Sequence, residues 1–123
     1  MKILSSAEDY LEAIYVIGQN KNNVRAADIV KHTGYARASV SIALKQLKEN
    51  ECISVDDSNN ISLTEKGTQI AKRIYERHML IANFLMAVGV DEKTAFADAC
   101  KLEHNISEKS FDCLSKFYLE NFI

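Results

Sequence analysis

The sequence predicts a mostly α-helical chain in two parts: three helices closed by a β-hairpin, then a further helical lobe. Three observations carry that expectation. Apolar residues recur at helical spacing through most of the chain. The period switches to two only over residues 53–63. Proline is absent, and glycine is confined to four positions, most of them where a helical pattern stops.

The first helix is expected over about Ser6–Ile17, with Leu11, Ile14 and Tyr15 inward, Asp9 and Glu12 on the opposite side, and Gly18 as terminator. A second helix, from about Arg25 to Thr33, ends at Gly34. A third, from about Arg37 to Asn50, buries Val40, Leu44 and Leu47. Ile53 and Val55, then Ile61 and Leu63, alternate with polar neighbours around the turn-rich tip Asp56-Asp57-Ser58-Asn59-Asn60, which reads as a hairpin. Thr64 caps a long helix carrying Ile70, Ile74, Ile81 and Leu85, which Gly89 terminates. Asp91 caps the helix bearing Cys100, and a last helix begins near Ser107.

Helix, short turn, helix and hairpin make the winged helix-turn-helix arrangement, in which the third helix enters the major groove of double-stranded DNA. Residues 1–63 are therefore expected to form a DNA-binding domain and residues 64–123 a helical one. The outward face of the third helix offers Arg37, Ala38, Ser39, Ser41, Ile42, Lys45 and Lys48, with Arg25 at the start of the second helix. Cations suit phosphates and guanine edges, Ser41 a base or phosphate, and Ile42 a thymine methyl group. The acidic tip of the hairpin suits phosphate poorly.

Charge supports the division. The net charge is −2, but Lys21–Asn50 holds six basic residues against two acidic, while Asp91–Ile123 holds four lysines against seven acids. At 123 residues, 47% hydrophobic and 26% charged, the composition is that of an ordinary soluble domain. No apolar run is long enough for a bilayer, no signal peptide is visible, and the three cysteines show no disulfide spacing, so a cytoplasmic chain without membrane contact is expected. No Gly-rich loop, nucleophile elbow or metallopeptidase motif is present, which argues against an enzyme.

The second part carries different chemistry. Cys100, Glu103 and His104, spaced i, i+3, i+4, put a thiol, a carboxylate and an imidazole on one helix face. His78 on an earlier helix and Asp9 with Glu12 near the N-terminus are available as further donors. Phe111, Leu114, Phe117, Tyr118 and Phe122 are many large apolar groups for one terminal helix, and a two-fold dimer would cover them.

Together, Glu8-Asp9-Tyr10-Leu11-Glu12-Ala13-Ile14-Tyr15, Leu63-Thr64-Glu65-Lys66-Gly67, Arg77-His78-Met79-Leu80 and Cys100-Lys101-Leu102-Glu103-His104-Asn105-Ile106-Ser107 resemble the metal-dependent repressors, the family of the diphtheria-toxin repressor and the manganese-transport regulator. The resemblance covers essentially the whole chain, in order. It implies a homodimer that reads a palindromic operator when a divalent metal is bound, with dimerisation and metal binding in the helices after Thr64. It implies metal ligands at Asp9, Glu12, His78, Glu103 and His104, as in manganese-type members. Cys100 stands where those members have glutamate and iron-type members have cysteine. The second site of iron-type members would fall at His78, Ala82 and Phe96, of which only His78 can coordinate. Their C-terminal barrel has no counterpart before Ile123, which resembles the short form.

The donor set suits Fe²⁺ or Mn²⁺, with Co²⁺, Ni²⁺ or Zn²⁺ as substitutes, because its carboxylates are hard and its thiolate soft. The expected function is metal-dependent repression of iron or manganese homeostasis, with no organic substrate. The alternative is a winged-helix regulator that needs no metal and answers an organic ligand.

Overall fold

The computed structural model describes residues 5–122, with the side chains of Ser5 and Ser6 outside the description. Six helices and one hairpin follow in order: α1 (Ser5–Asn20), α2 (Ala26–Thr33), α3 (Arg37–Glu49), β1 (Ile53–Val55), β2 (Ile61–Leu63), α4 (Glu65–Ala87), α5 (Glu92–Asn105) and α6 (Glu108–Asn121). They divide into two compact units, and the boundary in the chain falls between Arg73 and Ile74, inside α4.

In the first unit, Leu11, Ile14, Ile29, Val40, Leu47, Cys52, Ile53 and Ile61 form one buried cluster. Its helical members come from apolar stripes at helical spacing, and its strand members from alternate positions. Leu44 and Tyr15 pack on the cluster from partly buried positions, whereas Tyr10 is buried within it. Gly18 is not the terminator the sequence suggested: α1 runs through it to Asn20. Glycine ends a helix where it adopts a left-handed backbone, and Gly34 (φ 75°) and Gly89 (φ 107°) do so.

The α2–α3 turn is tied at Gly34, whose N–H donates to the Val30 carbonyl at 2.8 Å. At the start of α2, Asp28 accepts from the Arg25 backbone N–H at 2.9 Å and from Lys21 Nζ at 2.8 Å. The Lys21 hydrogen bond, followed by that of the Arg25 backbone, holds the Asp28 carboxyl below the usual carboxylate range.

The hairpin pairs Ile53 with Leu63, Ser54 with Ser62 and Val55 with Ile61. Ile61 N–H also donates to the Val24 carbonyl at 2.7 Å, so the segment before α2 lies along β2. Within the wing loop Asp56 Oδ1 accepts from the backbone N–H groups of Ser58 and Asn60, each at 2.9 Å. These turn bonds consume the carboxylate locally.

Thr64 caps α4: its Oγ1 accepts from Gly67 N–H at 3.1 Å and donates to the Glu51 carbonyl at 2.6 Å. Gly67 lies directly on the chain at Cys52, where an added Cβ would fall 1.9 Å from the Cys52 carbonyl oxygen. Glycine alone permits that approach. The opening turns of α4 thus belong to the first unit, with Ala71 in its core and Ile70 packed against it.

In the second unit Ile81, Ala82 and Ala99 are buried, and Leu85, Met86, Phe96, Ile106 and Phe111 pack around them. The Asp91 side chain caps α5 through Thr94 N–H at 3.0 Å, and Ser107 caps α6 through Ser110 N–H at 3.1 Å. No α6 residue is buried; Phe117, Leu119 and Phe122 are exposed. Phe84 on α4 contacts the rings of Phe117, Tyr118 and Phe122, which makes a continuous aromatic surface. No helix among the described residues is long and apolar enough to cross a membrane.

Candidate metal centre

The second unit brings His78, Cys100 and Glu103 together, with His104 against the other oxygen of Glu103. His78 projects from α4, and Cys100, Glu103 and His104 from α5 at the spacing that places them on one helix face. Glu103 Oε2 stands 3.3 Å from His78 Nδ1, and Oε1 stands 3.4 Å from His104 Nε2. Donor atoms of His78, Cys100 and Glu103 all lie within 4.8 Å of one another. Ligands sharing one first-row ion are roughly 3–4 Å apart, so small side-chain movements would close this set on a cation.

Burial makes the set chemically pointed. The Glu103 side chain retains 1% of its exposure, and the two imidazoles retain 16% and 13%. Both Glu103 oxygens are buried and accept no hydrogen bond among the described residues. A buried carboxylate with only two imidazole nitrogens facing it, neither in hydrogen-bond geometry, is costly, and a positive charge between the three offsets that cost. Cys100 is exposed, which leaves that edge of the site open to an arriving ion. An imidazole pair, a carboxylate and a thiol suit Fe²⁺, Co²⁺ or Zn²⁺ better than Mg²⁺ or Ca²⁺.

The apolar side of the site fits the same reading. The Phe96 ring lies 5.7 Å from the His78 ring, and Ala82 is fully buried in the neighbouring cluster. Neither Phe96 nor Ala82 offers a donor atom to a metal.

In the first unit Asp9 and Glu12 are half-buried on α1. The Tyr35 hydroxyl faces Asp9 Oδ2 at 3.4 Å, and the Tyr35 ring meets Tyr10 edge-on at 5.5 Å. Arg37, Ala38, Ser39, Ser41, Ile42, Lys45 and Lys48 are all exposed on α3, opposite buried Val40 and Leu47. Ile42, at 61% exposure, is the most open large apolar residue described. Arg25 is exposed, and its Nε lies 3.4 Å from Asn60 Oδ1 at the base of the wing.

Two residues beside the site had no role assigned to them from the sequence, although Phe96 marked a position of the iron-type second site and Arg77 stood in a quoted motif. Phe96 covers His78, and Arg77 reaches from α4 to the end of α5, donating to the Ile106 carbonyl at 3.1 Å.

Residues 64–120 match a family model described as iron dependent repressor, metal binding and dimerisation domain. Over 119 residues the chain is 37% identical to an uncharacterized HTH-type transcriptional regulator of Methanocaldococcus jannaschii, covering 95% of this chain and 94% of that one. It is 36% identical to the HTH-type transcriptional regulator MntR of Listeria welshimeri over 107 residues, 87% of this chain and 75% of that protein. Among solved structures it is similar to the manganese regulator SloR, with a TM-score of 0.82 and 28% identity, covering 97% of this chain and 55% of SloR. The chain thus spans about half the length of that solved manganese regulator.

Proposed function

The chain belongs to the iron- and manganese-dependent repressor family, as a DNA-binding, dimerising transcriptional regulator controlled by a divalent metal, and from that premise we propose how its residues divide the work. His78, Cys100, Glu103 and His104 hold the ion, with Asp9 and Glu12 as the further ligands that the sequence correspondence implies. Arg25, Arg37, Ala38, Ser39, Ser41, Ile42, Lys45 and Lys48 meet the operator. Phe111, Leu114, Phe117 and Tyr118 enter the dimer contact. The buried Glu103 carboxylate, flanked by two imidazoles and without a hydrogen bond among the described residues, is the observation that carries the metal assignment.

Bound, a divalent ion supplies the positive charge that the Glu103 carboxylate and the Cys100 thiolate need inside this unit. His78 and His104 coordinate as neutral imidazoles, so loading releases whatever protons they and Cys100 carry. Fe²⁺ or Mn²⁺ is the physiological effector: Cys100 favours the softer ion, and Asp9 with Glu12 the harder one.

A two-fold dimer presents two α3 helices and therefore reads a palindromic operator, with half-sites separated by one helical turn, roughly 34 Å. Asp9 and Glu12 belong to the unit that carries α3, so their engagement as ligands couples loading to DNA reading. Loading favours the DNA-competent state only as far as the ligands bind the ion better in that state. Coupling of this kind commonly changes affinity by about 5- to 150-fold.

The test is DNA binding under anaerobic conditions, on duplexes selected from random sequence by the metal-loaded protein. Mn²⁺ or Fe²⁺ should restore tight binding that a chelator abolishes. Equal binding with and without chelator would support a regulator that works without metal.

A further inference from the structure

Arg77 precedes His78 on α4, and its side chain crosses to the far end of α5. Nη2 donates to the Ile106 carbonyl at 3.1 Å, and the guanidinium carbon stands 4.9 Å from the centre of the Phe111 ring. Ile106 is the C-cap of α5, just beyond the ligands Glu103 and His104, and Phe111 lies in the opening turns of α6. One side chain therefore ties α4 to the corner where α5 becomes α6.

The order of contacts places that tie on one flank of the donor set. Along α4 come Arg77, then His78, then buried Ile81 and Ala82; along α5, read backwards, come Ile106, then His104, Glu103 and Cys100, then buried Ala99. The donors lie between two clamps: the apolar cluster of Ile81, Ala82 and Ala99 on one side, and the Arg77 tether on the other. The His78–Glu103 approach bridges the two helices between these clamps. Arg77 accepts a cost for its place, because its Nε is buried with no hydrogen-bond partner among the described residues. An arginine that merely covered surface would turn that N–H to water.

We propose that Arg77 is a positioning residue of the metal centre: by anchoring the α5 C-terminus to α4 through Ile106 and Phe111, it holds Glu103 at coordinating distance from His78. This rests on the metal assignment above. A tether and a simple charge make opposite predictions. A guanidinium near a divalent ion repels it, so removing the charge alone would tighten metal binding. Removing a tether loosens the donor geometry and weakens it, as loss of an outer-shell partner does, by about 10- to 100-fold.

The experiment titrates Co²⁺ into the full chain under anaerobic conditions, for the parent, Arg77→Met and Arg77→Lys. Affinity comes from chelator competition, ligand geometry from the visible spectrum at saturation, and folding of the metal-free forms from circular dichroism. Methionine matches the length and still packs on Phe111. Arg77→Met should bind Co²⁺ about 10- to 100-fold more weakly and with an altered saturated spectrum, while Arg77→Lys recovers part of the affinity. Parent-like or tighter binding with an unchanged spectrum overturns the inference. Should Arg77→Met fail to fold, Arg77→Gln removes the charge and the reach to Ile106 while keeping a polar head; about 10-fold weakening supports the tether and parent-like affinity overturns it. A parent that binds no Co²⁺ overturns the metal assignment itself, whereas a parent that binds beside equally competent variants overturns the tether alone.

Discussion

Nδ1 of His78 on α4 faces Oε2 of Glu103 on α5 across 3.3 Å, with the carboxylate buried and without a hydrogen bond among the described residues. The relationship is costly to the metal-free fold and useful to an ion. Removing the charge should therefore move stability and metal affinity in opposite directions.

Glu103→Gln keeps the shape and removes the charge. The metal-free variant should be more stable than the parent by about 1–3 kcal/mol, because the buried unsatisfied carboxylate is gone. Its Co²⁺ or Mn²⁺ affinity should fall by at least about 100-fold, since a charged ligand is lost. Chemical denaturation with chelator present measures the first effect, and metal titration the second. Destabilisation of the metal-free form would mean that Glu103 is a structural ion-pair partner.

Arg37→Ala and Lys45→Ala act on the exposed face of α3, opposite Val40 and Leu47. Each should weaken operator binding and lower the slope of log K against log salt by about 0.9 if a phosphate contact is lost. Metal affinity and dimerisation should stay as in the parent. Two variants with parent-like affinity and salt slope would place the reading surface elsewhere.

Gly67→Ala tests the close approach of α4 to the first unit. The new methyl carbon would fall 1.9 Å from the Cys52 carbonyl oxygen, which also accepts from Thr64 N–H at 3.0 Å. Backbone cannot yield there without losing that bond, so the variant should lose about 3 kcal/mol in thermal or chemical denaturation. Parent-like stability would contradict this packing.

Asp28 sets part of the acid limb of stability. Its carboxyl is held below the usual range by the Lys21 hydrogen bond and then by the Arg25 backbone. A group whose folded value is depressed contributes stability above its unfolded value, near 3.8, and loses that contribution as the pH falls through the folded value. The parent should therefore lose stability between about pH 5 and pH 3, and Asp28→Asn should lose less over that interval. The effect is small because the pair faces solvent. An Asp28→Asn profile that parallels the parent's would contradict it.

Much of the architecture was legible because it is written locally. Thr64 and Asp91 cap the helices where their side chains were expected to, and the last helix starts at Ser107 as its pattern suggested. The change of period at Ile53 marks the hairpin, and the i, i+3, i+4 spacing of Cys100, Glu103 and His104 marks the donor face. Gly18 misled because glycine terminates a helix only when its backbone turns left-handed, and a sequence does not state φ. Gly67 and Arg77 stood in the quoted motifs without a stated role, because their reasons lie far along the chain, at Cys52 and at Ile106. The same holds for the burial of Glu103: the spacing named it as a donor, but only tertiary packing strips it of water.

Cobalt absorption during anaerobic titration of the metal-free chain tests the metal assignment most directly. In the proposed site Cys100 would be the one soft donor, and it would have to lose its proton to coordinate. The parent should develop a sulfur-to-cobalt charge-transfer band in the near ultraviolet together with visible ligand-field bands. Cys100→Ala should lose the first and bind more weakly, Cys100→Glu should lose the first and shift preference towards Mn²⁺, and His78→Ala should weaken both features. A parent spectrum that stays that of aqueous Co²⁺, or a Cys100→Ala variant that binds with parent affinity and spectrum, would contradict a metal centre built on His78, Cys100 and Glu103.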